Sequence, residues 1–418
     1  MEVADIIIIN ARELLTPIDD HIHPKKGDEL GKIKKIPDGA IAIKNKKIIF
    51  VGTTRELNSS IETSKKTQII NARDKTIIPG LIDCHNHLLF AGTREDELLM
   101  KQQGKTYMEI LAQGGGIMRT VRATRSATEN ELIKIGLSRI NELISNGTTT
   151  CEAKSGYGLN LINELKLLKV IKKLNKLSEI ELVSTFLGAH VVPEEYKNNR
   201  DEYIHIIINE MLPVIVENGL TEFCDVFCEN GVFDITESEK ILKVAKNLGL
   251  DLKLHADEFS RNGGAILAGK LGATSADHLL ESTYLDFRFL SEKNVVAVLL
   301  PLVPMMLFSN TYLNGRKLIE HDAPLAIATD FNPNCFCLSL LECMRSAFFN
   351  LKLTPEEILT AVTLNAAYAL NRSKYIGSLE VGKYADIVIL NRPYIQLFYQ
   401  PGSNPVEVVI KNGKIIKS

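Results

Sequence analysis

Short apolar runs alternate with amphipathic stretches through the middle of the chain. Each run has the length and β-branched content of a buried strand, and the stretches between them are typical of helices. The runs lie at 148–151, 182–186, 223–227, 252–254, 273–276, 295–299 and 325–328. With a strand at 76–78 that leads into His85, they make eight strands. Eight strands alternating with helices predict an α/β fold, a TIM-like (β/α)8 barrel over residues 78–375.

Three helix starts punctuate this region. Each combines a threonine with a glutamate three positions later, the capping box that satisfies free N–H groups in a first turn. They are Thr128 with Glu131, Thr236 with Glu239, and Thr354 with Glu357. Gly147 and Gly249 are placed to end the first two helices.

Both ends of the chain have strand patterns instead. Residues 6–9, 40–43 and 48–51 are short β-rich runs, and 385–390, 406–410 and 414–416 form a second set with an Asn412-Gly413 hairpin turn. Neither set is large enough for a secure domain. We therefore expect residues 1–77 and 376–418 to combine into one composite β-sandwich. The polar, basic segment 17–37 is expected to be an exposed loop.

Composition narrows the class of protein. The chain has 418 residues, a net charge of −2 and 45% hydrophobic residues, which suit a globular enzyme and argue against nucleic acid as a partner. No apolar run approaches a membrane span, and we expect neither a membrane partner nor a signal peptide. The seven cysteines are an odd number scattered through apolar runs, which predicts reduced thiols and a cytoplasmic location. Cys224 and Cys228 are interpreted as core strand residues.

His85 and His87 are the central candidates for chemistry. Alternate residues of a strand point to the same side, about 7 Å apart, so both imidazoles could reach one divalent ion. His21 and His23 have the same spacing but lie in a lysine-rich segment with no strand before it. We interpret that second pair as solvated side chains without a metal role.

Further polar groups follow the other predicted strands, at the end of a barrel where functional residues collect. They are Glu152, Lys154 and Tyr157 after the second strand, His190 after the third, Glu229 and Asn230 after the fourth, His255 and Glu258 after the fifth, His278 after the sixth and Asp330 after the eighth. So many coincidences at one rim are hard to assign to packing.

A metal site follows from the types of these residues. His85, His87, His255 and Asp330 offer three nitrogens and one oxygen, a set that suits Zn²⁺ or Fe²⁺. No lysine occurs at 225–234 to bridge a second ion, so we predict one divalent metal ion per chain. Such an ion activates water and polarises a carbonyl, and Asp330, His278 and Glu258 are the candidates for proton transfer. The reaction class is hydrolysis of an amide-like C–N bond.

The same residues resemble a known family over nearly the whole chain. The His-x-His, His, His and Asp pattern is similar to that of the amidohydrolase superfamily, and several segments narrow the resemblance to its imidazolonepropionase family. These segments begin at Thr93-Arg94, Gly114-Gly115-Gly116, Glu152-Ala153-Lys154, Gly188-Ala189-His190, His255-Ala256-Asp257-Glu258, Ser275-Ala276-Asp277-His278 and Thr329-Asp330.

The resemblance implies hydrolysis of 4-imidazolone-5-propanoate to N-formimino-L-glutamate, in histidine degradation. It makes His85, His87, His255 and Asp330 the metal ligands. Arg94, Tyr157 and His190 become substrate contacts, with Tyr157 and His190 as donors, and Glu258 and His278 lie at the reacting ring. Substrate contacts also fall on Asn332, Asn334 and Cys335. Many members have Gly and a hydroxyl residue at the last two positions, so this chain departs from the pattern there.

Two alternatives remain open. A deaminase of the same superfamily, acting on a guanine- or cytosine-like ring, would share the metal ligands but would not need Arg94 to hold a carboxylate. A non-catalytic scaffold on the same barrel would be expected to lack ligands, and all four are present. A small molecule is the expected partner, and a homodimer the expected assembly.

Overall fold

The central barrel has eight parallel strands in sequence order. The computed structural model describes residues 2–105, 109–110 and 113–418. The barrel strands are Leu81–Asp83, Thr148–Lys154, Glu181–Ala189, Phe223–Cys228, Asp251–Ala256, Ser275–His278, Val296–Leu299 and Leu325–Ile327. Each pairs with the next in parallel register. The predicted barrel is confirmed, and each of the seven runs from 148 onward overlaps one of its strands.

The barrel closes at a seam between its first and eighth strands. The seam lies just beyond the strands themselves, where Asn86 and Phe331 form a parallel bridge. The Asp330 N–H donates to the His85 carbonyl at 3.1 Å, and the His87 N–H donates to the Phe331 carbonyl at 2.9 Å. Three of the four predicted ligands therefore arise from one short stretch of backbone pairing.

Helices cover the outside of the barrel and pack on its strands through the largest apolar cluster of the molecule. Those of eight residues or more are Glu95–Gln102, Ile117–Ser126, Glu129–Ser145, Leu161–Leu177, Ile235–Asn247, Gly264–Leu271 and Tyr284–Glu292. Shorter helical segments are Gly27–Gly31, Thr54–Ser60, Glu194–Tyr196, Arg200–Ile206, Ile207–Met211, Leu212–Glu217, Val303–Met306, Gly315–Glu320, Leu340–Ser346, Ala347–Leu351, Pro355–Ala361, Leu364–Tyr368 and Gln396–Tyr399. The three segments from Arg200 to Glu217 follow one another directly and form one continuous helix. In the described part of the chain, no helix combines the length and apolar composition needed to cross a bilayer.

Two of the three predicted helix starts are confirmed. Thr128 with Glu131 and Thr354 with Glu357 both form capping boxes. The start at Thr236 is wrong, because Asp234 is the N-cap and its side chain accepts from the Glu237 N–H. Aspartate is at least as good an N-cap residue as threonine. Both Asp234 and Thr236 are possible N-caps, and the helix begins after the first of them.

The two chain ends meet in one eight-stranded sheet, as predicted for the composite domain. Its strands are Ile6–Pro17, Ile33–Lys44, Lys47–Thr53, Gln68–Asn71, Thr76–Pro79, Ile387–Leu390, Val406–Lys411 and Lys414–Lys417. A small parallel pair, Glu2–Val3 with Ile61–Glu62, stands apart. Asn412 and Gly413 turn the last hairpin with positive φ angles of 50° and 73°, which favour residues of these types.

The predicted first strand lies in a different sheet from the one expected. Thr76–Pro79 pairs with Ile387–Leu390 in the chain-end sheet, and the first barrel strand is Leu81–Asp83. Gly80 separates the two, and a Cβ there would lie 2.3 Å from the Thr149 Oγ1. The chain thus passes from one sheet to the other at a point where only glycine fits.

The segment 17–37 is less exposed than predicted. Its last residues pair with Ile6–Pro17, and Leu30 is fully buried. The Lys25 N–H donates to the Asn365 side chain at 2.8 Å, and the Asn365 amide donates back to the Lys25 carbonyl at 2.7 Å. The expectation of an exposed loop was wrong. It rested on the basic composition, which does not reveal the burial of Leu30 or the hydrogen bonds between the Lys25 backbone and the Asn365 side chain.

Candidate metal centre and active site

The four predicted ligands converge at the mouth of the barrel. Nε2 of His87 lies 3.3 Å from Nε2 of His255. One oxygen of Asp330 lies 3.4 Å from His85 Nε2 and 3.6 Å from His87 Nε2. Ligand atoms about 2.0–2.1 Å from a tetrahedral ion are separated by about 3.3–3.4 Å. The observed spacings therefore match the edges of such a coordination shell.

Carboxylates behind the histidines fix the direction in which the imidazoles point. His85 Nδ1 donates to Asp277 at 2.6 Å, and His255 Nδ1 lies 2.9 Å from Asp225. Each contact leaves the opposite nitrogen facing the cluster, the usual arrangement around a metal-ligating histidine. His85 Nε2 is buried and has no hydrogen-bond partner in the described part of the chain. A divalent ion is the group that such a buried, unpartnered nitrogen fits.

Burial keeps two of the predicted ligands in the protonation state that a metal requires. It lowers the pKa of His85 and of His87 well below the usual value, so both imidazoles are neutral. Burial also raises the pKa of the Asp330 carboxyl to about 7. A bound cation would reverse that effect by favouring the carboxylate. Asp330 has a positive φ of 50°, an uncommon conformation at a position that delivers a ligand.

His278 and Glu258 lie on one side of the ligands. The His278 ring centroid is 5.2 Å from that of His255, and its Nδ1 is 3.6 Å from a Glu258 oxygen. Burial lowers the pKa of His278 and raises the pKa of Glu258 well above its usual value, so both groups are held neutral. Neither nitrogen of His278 has a hydrogen-bond partner among the described residues. The pair is thus available to a bound molecule.

Tyr157 and His190 form the opposite wall. The His190 ring stacks on that of His87 at 5.2 Å, and the Tyr157 ring is 5.3 Å from His190. His190 Nδ1 donates to the Gly156 carbonyl at 3.0 Å, while burial lowers the pKa of His190 to about 3. Its Nε2 is therefore an acceptor, which corrects the expectation that His190 supplies a donor. Tyr157 keeps its hydroxyl proton because burial raises its pKa.

Arg94 is buried and already holds a carboxylate. Its Nε and Nη2 donate to one oxygen of Glu97 at 2.9 and 2.6 Å. Its charge reaches the site, since it lowers the pKa of Tyr157 against the larger effect of burial. Lys101 is a second cation here, and its ammonium donates to the Asn334 side chain at 3.4 Å. This side of the mouth thus has two cations, Arg94 and Lys101, and the carboxylate of Glu97, apart from the carboxyl groups of Asp330 and Glu258.

Asn332 and Cys335 contribute to the loop itself. The Asn332 side chain donates to the Asp330 carbonyl and accepts from the Asn334 N–H at 2.7 Å. The Cys335 thiol is buried and donates to the Thr329 carbonyl at 3.6 Å. These contacts shape the backbone that presents Asp330. Within the described ranges, the side chain of Asn334 is linked to the mouth through Lys101.

Some rim residues lie elsewhere than predicted. Glu152 and Lys154 belong to the second strand and are fully buried inside the barrel. Glu229 accepts from the Phe259 N–H at 2.9 Å, and the Asn230 amide donates to Ser260, so both organise the loop after the fifth strand. The sequence reasoning gave no role to Asp225 in the site, although an aspartate inside the apolar run Phe223–Cys228 is a signal for a buried partner.

Residues 76–416 match the amidohydrolase family, and the chain belongs to that family. The imidazolonepropionase of Alkaliphilus metalliredigens is 44% identical over 416 residues, 99% of this chain and 98% of its own length. That of Symbiobacterium thermophilum is 43% identical over 419 residues, 100% of this chain and 98% of its own. Within the amidohydrolases, the chain therefore belongs to the imidazolonepropionase family.

Solved structures share the fold at lower identity. A zinc-bound adenosine deaminase from Xanthomonas campestris has a TM-score of 0.73 and 20% identity, covering 100% of this chain and 93% of that one. Guanine deaminase from E. coli has a TM-score of 0.71 and 15% identity, with 99% of each chain covered. At these identities the likeness shows the barrel and its companion sheet as a common architecture.

Proposed function

We propose that this protein hydrolyses the ring amide C–N bond of 4-imidazolone-5-propanoate to give N-formimino-L-glutamate. The observation that carries the reaction class is the convergence of His85, His87, His255 and Asp330 at ligand spacing inside a barrel mouth. The substrate follows from the imidazolonepropionases that this chain matches end to end.

The donor set fits one Zn²⁺ or Fe²⁺, which would supply Lewis-acid activation of water and of the ring carbonyl. Asp330 is placed to accept the proton of the attacking water through its second oxygen. Neutral Glu258 offers a hydrogen bond to the ring, and neutral His278 can take up that proton from Asp330 and pass it to the leaving ring nitrogen. The acceptor nitrogen of His190 suits a ring N–H.

The propanoate tail matches the cations at the mouth. Arg94, Lys101 and Glu97 together bear one net positive charge, and a carboxylate would balance it. Arg94 gives two of its five N–H groups to Glu97, and the others have no hydrogen-bond partner among the described residues, so it can hold a second carboxylate. A guanine- or cytosine-like ring has no anionic tail, and this surplus of positive charge disfavours the deaminase.

Incubation of the purified protein with 4-imidazolone-5-propanoate tests the proposal. Loss of substrate should be matched by N-formimino-L-glutamate, and Asp330→Asn should abolish turnover. Guanine and cytosine are the control substrates. Ammonia release from either of them, with no turnover of the imidazolone, would contradict the proposed hydrolysis and support a deaminase instead.

We also propose a single ion per chain, because the described residues offer no lysine bridge beside the four ligands and Lys154 is committed to carboxylates. The homodimer and the cytoplasmic location stay predictions from the sequence. Size-exclusion chromatography with light scattering would test the dimer.

A further inference from the structure

Five ionisable side chains lie fully buried beneath the ligands. They are Glu152 and Lys154 on the second barrel strand, Asp225 on the fourth, Lys253 on the fifth and Asp277 on the sixth. Isolated charges are costly in a protein interior, and charges there are paired or neutralised. None of these five belongs to the proposed ligand set, so the barrel maintains them for another purpose.

Lys154 is the point at which three of these charges meet. Its ammonium lies 2.7 Å from Asp225, 3.1 Å from Glu152 and 3.7 Å from Asp277. Asp225 lies against the Nδ1 of His255, and Asp277 accepts from the Nδ1 of His85. One lysine thus touches both carboxylates that orient two different histidine ligands.

We infer that Lys154 is a positioning residue that joins His85 and His255 into one preorganised half of the metal site and thereby sets the affinity for the ion. The inference rests on the proposed metal site. Two carboxylates close to one ammonium would repel each other in its absence. Each would then turn away or take up a proton, and the imidazole that it orients would lose its fixed direction.

Lys253 provides a matched comparison. It is equally buried and also contacts Glu152, at 3.4 Å. Its other contacts are to the carbonyls of Cys84 at 2.9 Å and Ala369 at 3.3 Å. In the described part of the chain it forms no ion pair within 4 Å of Asp225 or Asp277. Lys253 still helps to keep Asp277 ionised through its charge, but it makes no direct contact with either carboxylate. Loss of Lys253 should therefore cost stability and weaken metal binding less than loss of Lys154.

The test is competition between the holoenzyme and a chelator, which measures the metal dissociation constant without the substrate. Lys154→Met should weaken metal binding by about 10–100-fold, the range found for groups that act through a ligand. Lys253→Met should change it by about threefold or less. Thermal unfolding should show that both variants lose stability. Lys154→Gln and Lys253→Gln keep a hydrogen-bond donor and form a second pair of variants. Metal binding should again be weakened more by the substitution at Lys154 than by the one at Lys253.

A double-mutant cycle measures how much of the effect of Lys154 on metal binding depends on Asp225. If Lys154 acts through Asp225, then Lys154→Met should weaken binding much less on an Asp225→Asn background than on the wild type. If neither Lys154 variant folds, Asp225→Asn and Asp277→Asn provide the test, and their combined loss should be smaller than the product of the single losses.

Equal weakening by the Lys154 and Lys253 variants, unchanged metal affinity in Lys154→Met, or independent losses in the cycle would each overturn the role of Lys154. Wild-type protein that binds no ion would instead overturn the metal site itself. The two failures are therefore distinguishable.

Discussion

Arg94 is the single side chain on which recognition of the substrate most depends. Arg94→Met should raise KM by about 30-fold or more, because loss of one partner of a desolvated charge contact costs about 2–5 kcal/mol. The change in kcat should be smaller, since the tail is remote from the breaking bond. Steady-state kinetics on 4-imidazolone-5-propanoate measures both.

Arg288 offers the control for that experiment. It is an exposed arginine on the helix Tyr284–Glu292 and lies 3.5 Å from Glu292. Arg288→Met should leave KM within about twofold, because an exposed pair contributes little. Arg94→Met also unpairs Glu97, so its unfolding temperature must be measured alongside. An unchanged KM in a folded Arg94→Met variant would remove the carboxylate contact from the account.

His278 and Glu258 should affect turnover without affecting the ion. Neither is needed to complete the four-ligand set, and both are held neutral beside it. His278→Ala and Glu258→Gln should each lower kcat by about 10²–10⁴-fold, the usual contribution of acid–base catalysis. Metal analysis should find the wild-type content in both. Near-normal kcat in both variants would exclude them from proton transfer.

At the scale of single residues, the sequence indicated the proposed metal ligands but not the carboxylates that contact them. His85, His87, His255 and Asp330 could be predicted because their residue types and positions after strands indicate a metal. Asp225 and Asp277 could not, because their partners depend on how far each neighbouring strand is shifted. Likewise, the acceptor state of His190 depends on a contact with the Gly156 carbonyl that spacing alone does not reveal.

The segment 17–37 is the element whose role changed most. It packs against Asn365, whose amide also donates to the Leu325 carbonyl of the eighth barrel strand at 2.8 Å. Asn365→Ala should lower the free energy of unfolding by about 1–3 kcal/mol, because it leaves buried backbone groups unpaired. Denaturant unfolding provides the measurement, and kcat/KM should stay unchanged.

Asn209→Ala is the matched control, since Asn209 is exposed and its amide contacts only His205 on the same helix among the described residues. Its effect should be within about 0.5 kcal/mol. Equal destabilisation by the two variants would mean that the hydrogen bonds of Asn365 to Lys25 and Leu325 make no particular contribution to the free energy of unfolding.

Substitution of His21 and His23 tests which part of the chain holds the metal ion. His21 lies beside Asp19 and Glu380, a group with ligand spacing, but Asp19 is already paired with Lys383 at 2.7 Å. Replacement of His21 and His23 together by Ala should leave metal content and turnover unchanged. Elemental analysis would reveal the opposite, a large loss of metal, if the ion were held there.

Helices and strands were predicted correctly where the sequence pattern was compatible with a single structure. The run at 76–78 was assigned to the wrong sheet because a β-branched strand has the same pattern in either sheet. The two sheets are separated at Gly80, where a Cβ would lie 2.3 Å from the Thr149 Oγ1. The helix start at Thr236 failed because Asp234 offered a competing cap two residues earlier.

For the whole molecule, the alternation of strands and helices was sufficient to predict the barrel and the joining of the chain ends. The division at 77 and 375 stays a prediction, because the sheet formed by the ends continues through Thr76–Pro79. Closure of the barrel at Asn86 and Phe331 brings three ligands together, and no local pattern in the sequence reports a contact between such distant residues.

The most direct measurement is titration of metal-free protein with Zn²⁺ or Fe²⁺, with formation of N-formimino-L-glutamate from 4-imidazolone-5-propanoate as the signal. Product formation should be absent without metal and should rise linearly to a plateau at one equivalent of ion per chain. A plateau at two equivalents, or full turnover by metal-free protein, would contradict a hydrolase built on one ion held by His85, His87, His255 and Asp330.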